Sequence, residues 1–319
     1  MGFNRENYVK IKSEYDGKYL RAEETAHFRR HEVHAKVPGV AEVDKALELL
    51  GIEIYGASMS GDKAALEDIE RQNKSLLEKR KKLLVGAGYP ENYTDVQYEC
   101  ALCGDTGVVD YRMCKCMKEK LILAGLESSG MGELIRTQTF ENFDLSFYSG
   151  EAKTRMAAIV DLAKKYAEEF DANKSGSIIL MGNTGLGKTH ISSAMGGVII
   201  NKGNDVYYST AIDMVADFEG ERFTNSKPDV SLTDKYMTCD LLIIDDLGTE
   251  LINQFTTSCL YSVINSRLVK KKPTIISTNF TREELRKKYM DRITSRIFGE
   301  FLVFPFMGTD IREKKLQIK

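Results

Sequence analysis

The sequence predicts an α/β protein built on a parallel sheet, preceded by a smaller helical unit that carries a cysteine cluster. Three observations support this. Beyond residue 150, short apolar runs alternate with amphipathic stretches, the pattern of a parallel sheet covered on both faces. A glycine-rich segment, Gly182–Thr189, lies between one apolar run and the helical stretch that follows it. Four cysteines fall within the seventeen residues from Cys100 to Cys116.

The elements follow from periodicity. Up to about Leu84 the chain is charged, poor in glycine and helical in period. A first helix carries Tyr8, Ile11, Tyr15 and Phe28, and Pro38-Gly39 ends it. Val40, Val43, Leu47, Leu50 and Ile54 then recur at steps of three and four, as do Leu66, Ile69, Asn73, Leu76, Arg80 and Leu83. Two helices packed as a hairpin are expected, with Gly56–Gly61 as the turn between them. Gly125–Gly150, rich in Gly, Ser and Phe, reads as a linker. A helix is expected over Thr154–Phe170, a strand over Ser177–Met181, a helix over Lys188–Ile200 and a strand over Asp205–Ser209. Strands at Leu241–Asp245 and Thr274–Thr278 flank a helix at Ile252–Leu268. The domain reading is 1–120 for the helical and cysteine-bearing unit, 121–150 for a linker leading to the pocket, and 151–319 for the α/β core.

Composition narrows the function classes. The 319 residues carry 42% hydrophobic and 29% charged side chains, with a net charge of -2. No strong overall field draws such a chain to nucleic acid or an anionic membrane, so any nucleic-acid contact must be local. No apolar run is long enough to span a bilayer, and the polar, charged start argues against a signal peptide. The expectation is a cytoplasmic protein without a membrane partner, in which close cysteine pairs favour metal over disulfide.

Gly182-Asn183-Thr184-Gly185-Leu186-Gly187-Lys188-Thr189 matches G-x-x-x-x-G-K-[ST] in full, after an apolar strand and before an amphipathic helix. The glycines let backbone N–H groups wrap phosphate oxygens at the positive end of that helix. Lys188 is expected to neutralise the β- and γ-phosphates of a nucleoside triphosphate, and Thr189 to ligate Mg²⁺. Leu241–Asp246 is an apolar strand ending in two acids: Asp245 is assigned to the Mg²⁺ shell and Asp246 to polarising the attacking water, with Glu250 as the alternative base. His190 is read as packed against the sheet, without a role.

The spacing Cys100-x2-Cys103-x10-Cys114-x-Cys116 suits a tetrahedral Zn²⁺ site, with Val108–Tyr111 as a hairpin that brings the two pairs together. Four sulfurs leave no open coordination position, so the site is expected to be structural. An iron–sulfur cluster and free thiols are the alternatives. Cys239 and Cys259 read as small buried hydrophobes. His27, His31 and His34 share a helix face and read as a solvated stripe.

In this order the motifs resemble the AAA+ ATPases. Thr274–Asn279 resembles their sensor 1 strand, which implies that Asn279 touches the γ-phosphate or the water. Arg292 and Arg296 share a helix face. Ser295-Arg296-Ile297 resembles the Ser-Arg-Phe of the bacterial initiator DnaA, which implies that Arg296 is a finger reaching a neighbouring subunit's site. The whole order resembles the DnaC/DnaI-type bacterial replicative helicase loaders. The matches are Tyr98–Cys116 with its Cys-Gly-Asp-Thr-Gly core, Phe140–Phe143, Gly182–Thr189, Ile244–Gly248, Ser277–Asn279 and Gly308–Arg312.

That resemblance implies an ATPase that binds the hexameric DnaB-type helicase through its N-terminal domain and delivers it onto single-stranded DNA. It also implies self-assembly on the helicase, Phe140 and Phe143 near the adenine, Arg312 as sensor 2, and Ala211–Phe223 as a DNA contact. Little chain remains after Phe306, so the usual AAA+ lid is missing or vestigial. The rivals are an IstB-like transposition ATPase, which shares the core motifs, and an adaptor whose nucleotide site is a switch with negligible turnover.

Overall fold

A computed structural model describes residues 3–60, 63–223 and 233–313. The chain divides into two compact units, one of Lys12–Cys116 and one of Met1–Ile11 with Met117–Lys319. The division thus falls at Cys116, where the sequence suggested residue 120, and the first eleven residues group with the larger unit. There Asn7 Nδ2 donates to Ser128 Oγ at 2.8 Å.

The smaller unit is built from the body of α1 (Arg5–Lys36), from α2 (Val40–Ser60) and from α3 (Lys63–Gly86). Pro38 cannot continue the hydrogen-bond ladder of α1, and Gly39 turns the chain at φ 84°. The two expected seams are turned inward: Val40, Val43, Leu50 and Ile69 are buried, and Leu47, Ile54, Leu66, Asn73, Leu76, Arg80 and Leu83 are half-buried. Val33, Val37, Val40 and Leu84 form a compact core with Tyr89 and Tyr93 against it.

Two readings are corrected in this unit. Gly56–Ser60, expected as a turn, continues α2, while residues 61–62 lie outside the described residues. His34, read as part of a solvated stripe, has a carboxylate partner: its Nε2 lies 2.7 Å from Asp44, which also accepts from Arg80 Nε at 2.6 Å. Asp44 lies 36 positions before Arg80 in the chain, so no local pattern links the three.

Past α3, a hairpin of β1 (Val108–Val109) and β2 (Arg112–Met113) precedes α4 (Lys115–Ser128). In the larger unit the chain continues through α5 (Leu134–Thr137), a 3₁₀ turn at Leu145–Phe147 and α6 (Gly150–Glu168). The stretch expected as a linker is therefore partly helical. Ile122, Leu126, Leu134 and Ile135 pack against the core, and Met131 and Phe140 are buried in it. Its glycines set turns at Gly130 and Gly132 and do not loosen the segment.

The core then runs β3 (Ser177–Met181), α7 (Lys188–Asn201), β4 (Val206–Thr210), α8 (Ala211–Phe223), α9 (Asp234–Thr238) and β5 (Leu241–Leu247). It ends with α10 (Gln254–Val269), β6 (Thr274–Thr278), α11 (Arg282–Lys288), α12 (Asp291–Glu300) and β7 (Phe301–Pro305). The five long strands form one parallel sheet in the order β4-β5-β6-β3-β7. Side chains alternate across it, as the pleat requires: Ile178 and Leu180 join a core with α6 and α7, while Ile179 joins a core with α10 and α12. Strand β7 has no counterpart in the sequence reading. Arg267, fully buried, holds one edge of this layer through the carbonyls of Tyr236, Cys239 and Pro273, with the Pro273 bond at 2.6 Å. Among the described residues, no helix is long and apolar enough to cross a membrane.

Candidate functional site

Strand order places the chemistry. β3 leads into the glycine-rich loop and β5 carries the paired acids, but β6 lies between them. The residue leaving the end of β6, Asn279, therefore emerges between loop and acids. Lys188 Nζ donates to Asn279 Oδ1 at 2.7 Å and to the carbonyls of Gly182 and Asn183 at 2.7 and 2.8 Å. Thr189 Oγ1 donates to Asp245 Oδ2 at 2.8 Å.

Gly182, Gly185 and Gly187 have φ of 153°, 75° and 77°, a region that L side chains rarely adopt. Space forbids a side chain as well: a Cβ at Gly187 would meet the Phe143 ring at 2.7 Å, and one at Gly185 would collide with the Asp310 carboxylate.

Asp245 is buried and held by hydroxyl donors from three elements. Thr189 comes from α7, Tyr208 OH donates at 2.7 Å from β4, and Ser277 Oγ donates from β6. The Thr189 hydroxyl beside this carboxylate gives two converging oxygen donors, which fits a hard cation such as Mg²⁺. Asp246 is half-exposed at φ 52°, its N–H held by Ser277 Oγ at 2.9 Å. Partial burial and the neighbouring Asp245 raise the pKa of Asp246, while Lys188 and Arg312 oppose the rise. Burial lowers the pKa of Lys188, against the pull of Asp246 and Asp245.

A cavity of about 230 Å³ adjoins these groups. Thr184–Thr189, Asp246, Asn279, Phe143 and Arg312 line it, together with His190, Gln138, Asn142, Asp144, Phe147 and Ile311. Glu250 does not line it. Its carboxylate is buried, accepting from Gly248 N at 2.7 Å and from Tyr289 OH. Phe140, expected near the adenine, is buried in the core and is not part of the lining. Arg312 lines the cavity because the last described segment is strapped to the loop: Ile311 N donates to Gly185 O at 3.0 Å, and Asp310 caps Arg312 N at 2.8 Å.

Arg292 and Arg296 are not in the cavity lining. Arg296 donates to Asn265 Oδ1 at 3.0 Å and lies 5.0 Å from the Tyr261 ring centroid. His190, given no role from sequence, lines the cavity with its edge to Phe143 at 5.2 Å and its Nε2 2.7 Å from Thr139 O. Its position directly after Lys188-Thr189 was the available signal. Tyr208 and Ser277 had none.

In the smaller unit the four cysteine sulfurs lie within 4.8 Å of one another, with Cys100–Cys114 at 3.9 Å and Cys103–Cys116 at 3.7 Å. A tetrahedral zinc with ~2.3 Å bonds to sulfur needs sulfurs about 3.8 Å apart, so the spacing is compatible with that ion. The hairpin positions them. Asp110 and Tyr111 both take positive φ, 47° and 61°, the two-residue turn that joins β1 to β2. Buried Asp105 accepts from the N–H groups of Glu99 and Cys100 at 2.8 Å each. Cys239 and Cys259 are buried, as expected.

A family model described as IstB-like ATP binding protein matches residues 118–302. The chain belongs to that family. Its match takes in the glycine-rich loop, the paired acids, Asn279 and Arg296. The replicative helicase loader DnaC of Buchnera aphidicola (subsp. Schizaphis graminum) is 27% identical over 201 residues, 62% of this chain and 78% of that protein. The replicative helicase loader DnaC of Escherichia coli K12 is 28% identical over 169 residues, 53% of this chain and 66% of that protein. A crystal structure of the DnaC helicase loader superposes with a TM-score of 0.48 at 18% identity, covering 54% of this chain and 98% of that one.

Proposed function

We propose that this protein is an ATP-dependent loader that binds a hexameric replicative DNA helicase and places it on single-stranded DNA. The observation that carries the reading is the convergence of Lys188 on Asn279 and of Thr189 on Asp245 at one cavity. Those are the groups that phosphoryl transfer needs: a cation for the phosphates, oxygen donors for Mg²⁺ and a polar side chain for the terminal phosphate or water. The loader half of the reading draws on the similarity to curated DnaC proteins.

In this reading the glycine-loop amides and Lys188 hold the triphosphate, while Thr189 and Asp245 hold Mg²⁺, which would neutralise phosphate charge when bound. Asp246 faces the cavity with a raised pKa and polarises the attacking water. Asn279 orients it. Glu250 is committed to Tyr289 and Gly248 and is not the base. Arg312 contributes charge in cis, and Arg296 acts on a neighbouring copy's site. The four cysteines hold a structural Zn²⁺. Residues 1–120 bind the helicase, for which exposed apolar side chains on α1 and α2, such as Leu20, Phe28 and Ile52, are suited. Helix α8 is the candidate DNA contact.

The test uses the full chain with the replicative helicase of the same source. Co-elution as one complex, and ATP-dependent transfer of the helicase to a single-stranded DNA circle, are expected. A second reading, a transposition helper ATPase, is favoured by the family match itself. Stable association with a transposase and none with the helicase would select it.

A further inference from the structure

The cysteine segment supplies some hydrogen bonds to its own sulfurs. The backbone N–H groups of Leu102 and Cys103 turn toward the Cys100 sulfur, and that of Gly107 toward the Cys103 sulfur. Four thiolates around one divalent cation leave the cluster anionic, and donors of this kind offset its charge.

Another donor comes from a different element. Tyr15, on α1, is buried, and its hydroxyl is hydrogen-bonded to the Cys116 sulfur. A metal-bound thiolate carries no proton, so in the loaded site the tyrosine must be the donor. Tyr15 lies on the face of α1 that meets the cysteine segment. On that face Lys12 Nζ donates to Thr106 O at 3.3 Å, Tyr19 stacks on Tyr98 with ring centroids 6.0 Å apart, and Glu23 accepts from Tyr98 OH at 2.6 Å. Steps of three and four along the helix put these four residues in one row. Of their contacts, that of Tyr15 ends on a metal ligand.

Resting on the zinc reading above, we propose that Tyr15 is a positioning residue of the metal site: its hydroxyl donates to the Cys116 thiolate, fixes that ligand and ties α1 to the cluster. Partners that hydrogen-bond to metal ligands are typically worth about 10- to 100-fold in metal affinity. The tie is reciprocal, so what α1 contributes to holding the metal, the metal contributes to holding α1. Metal loss therefore loosens the Lys12–Glu23 stretch. Val33 and Val37, packed with Leu84 in a core of their own, keep the far end of the helix in place.

The experiment compares the full chain with two variants. Tyr15→Phe keeps the ring and removes only the hydroxyl. Tyr98→Phe breaks the Glu23 bond on the same face without touching a sulfur. Zn²⁺ affinity is measured by competition with a chromophoric chelator, and each protein is also loaded with Co²⁺. Tyr15→Phe is expected to bind Zn²⁺ about 10- to 100-fold more weakly than the wild-type chain. Its sulfur-to-cobalt charge-transfer band should move to longer wavelength, because the Cys116 lone pairs lose the donor that stabilises them, while Tyr98→Phe keeps the wild-type band. In the wild-type chain, removing the metal should speed amide hydrogen exchange across Lys12–Glu23 more than across Val33–Lys36.

A Tyr15→Phe protein with wild-type affinity and an unchanged cobalt band overturns the proposal. So does a band that Tyr98→Phe shifts equally, which would assign the effect to helix docking, and so does exchange in Lys12–Glu23 that ignores the metal. The exchange measurement on the wild-type chain stands even if a variant fails to fold. A wild-type chain that binds no zinc is a separate result, which overturns the zinc reading itself.

Discussion

Lys188 and Asn279 stand 91 positions apart in the chain, yet the lysine Nζ donates to the asparagine Oδ1 at 2.7 Å. The parallel pairing of β3 with β6, in register Ile178↔Ile275, puts the loop that leads from β3 to Lys188 and the residue that follows β6 at the same end of the sheet. The pair gives a way to separate binding from turnover. Lys188→Ala should weaken ATP binding by about 10- to 100-fold, the worth of charge-assisted phosphate contacts, with far-UV circular dichroism unchanged. Asn279→Ala should leave affinity within a few-fold and lower steady-state phosphate release. Wild-type affinity in the lysine variant would remove the site.

Each purified chain should carry one Zn²⁺. Burial pushes the Cys116 thiol up to about 12, so thiolate forms there only when a cation repays the cost, and metal content should fall on acidification. Cys103→Ser should abolish zinc and open the Lys12–Cys116 unit to protease while sparing the larger unit. Elemental analysis finding iron, or no metal, would reject the assignment.

On the proposed trans role, Arg296→Ala should preserve ATP affinity and depress hydrolysis or ATP-dependent assembly. Fingers of this kind are worth roughly 10³–10⁵ in rate. To act, Arg296 must leave Asn265 and Tyr261, so Asn265→Ala should raise turnover modestly. Mixing Arg296→Ala with Lys188→Ala protein should restore some activity. A defect confined to Arg292→Ala would reassign the role.

Asp205 offers a pH test of stability. Burial, reinforced by Asp240, raises its pKa to about 6, against the opposing Asn4 hydrogen bond and the cations Lys272 and Arg267. The folded state therefore binds this proton more tightly than the unfolded chain. Its contribution is favourable at low pH and is lost as pH rises from about 4 through about 6. Asp205→Asn should stabilise the larger unit by on the order of 2 kcal/mol at pH 8, and the gain should vanish toward pH 4. With no tryptophan in the chain, urea titrations followed by circular dichroism would measure it. A pH-independent difference would contradict the assignment.

What was legible in the sequence was contiguous. The phosphate loop, the paired acids and the four cysteines each lie in one short segment with a fixed spacing, and the structure brings each set together. What was hidden depends on partners far along the chain. Tyr208 and Ser277 reach Asp245 only because β4, β5 and β6 are neighbours. Composition misled at Gly56–Ser60, where α2 continues through residues of weak helix propensity. It misled again in residues 121–150, where apolar side chains find a core to cover. Strand β7 escaped because five residues with only Phe301 and Phe304 buried show neither a strand's alternation nor a helix's period.

That last strand has a consequence for how the protein is made. β3, which leads into the phosphate loop, pairs with β7 in register Ser177↔Phe301. A ribosome delivering the chain has released β3, β4, β5 and β6 well before Phe301 appears, so the P-loop strand waits with one edge bare for more than a hundred residues of synthesis. Contacts of such long separation form slowly, and an exposed strand edge invites pairing with other chains. Nascent chains stalled before Phe301 should therefore aggregate or recruit chaperones, while those stalled beyond Phe306 should become protease-resistant. The contacts of Phe306 with Gly182 and of Ile311 with Gly185, which complete the surroundings of the glycine loop, therefore form only after that strand has been made.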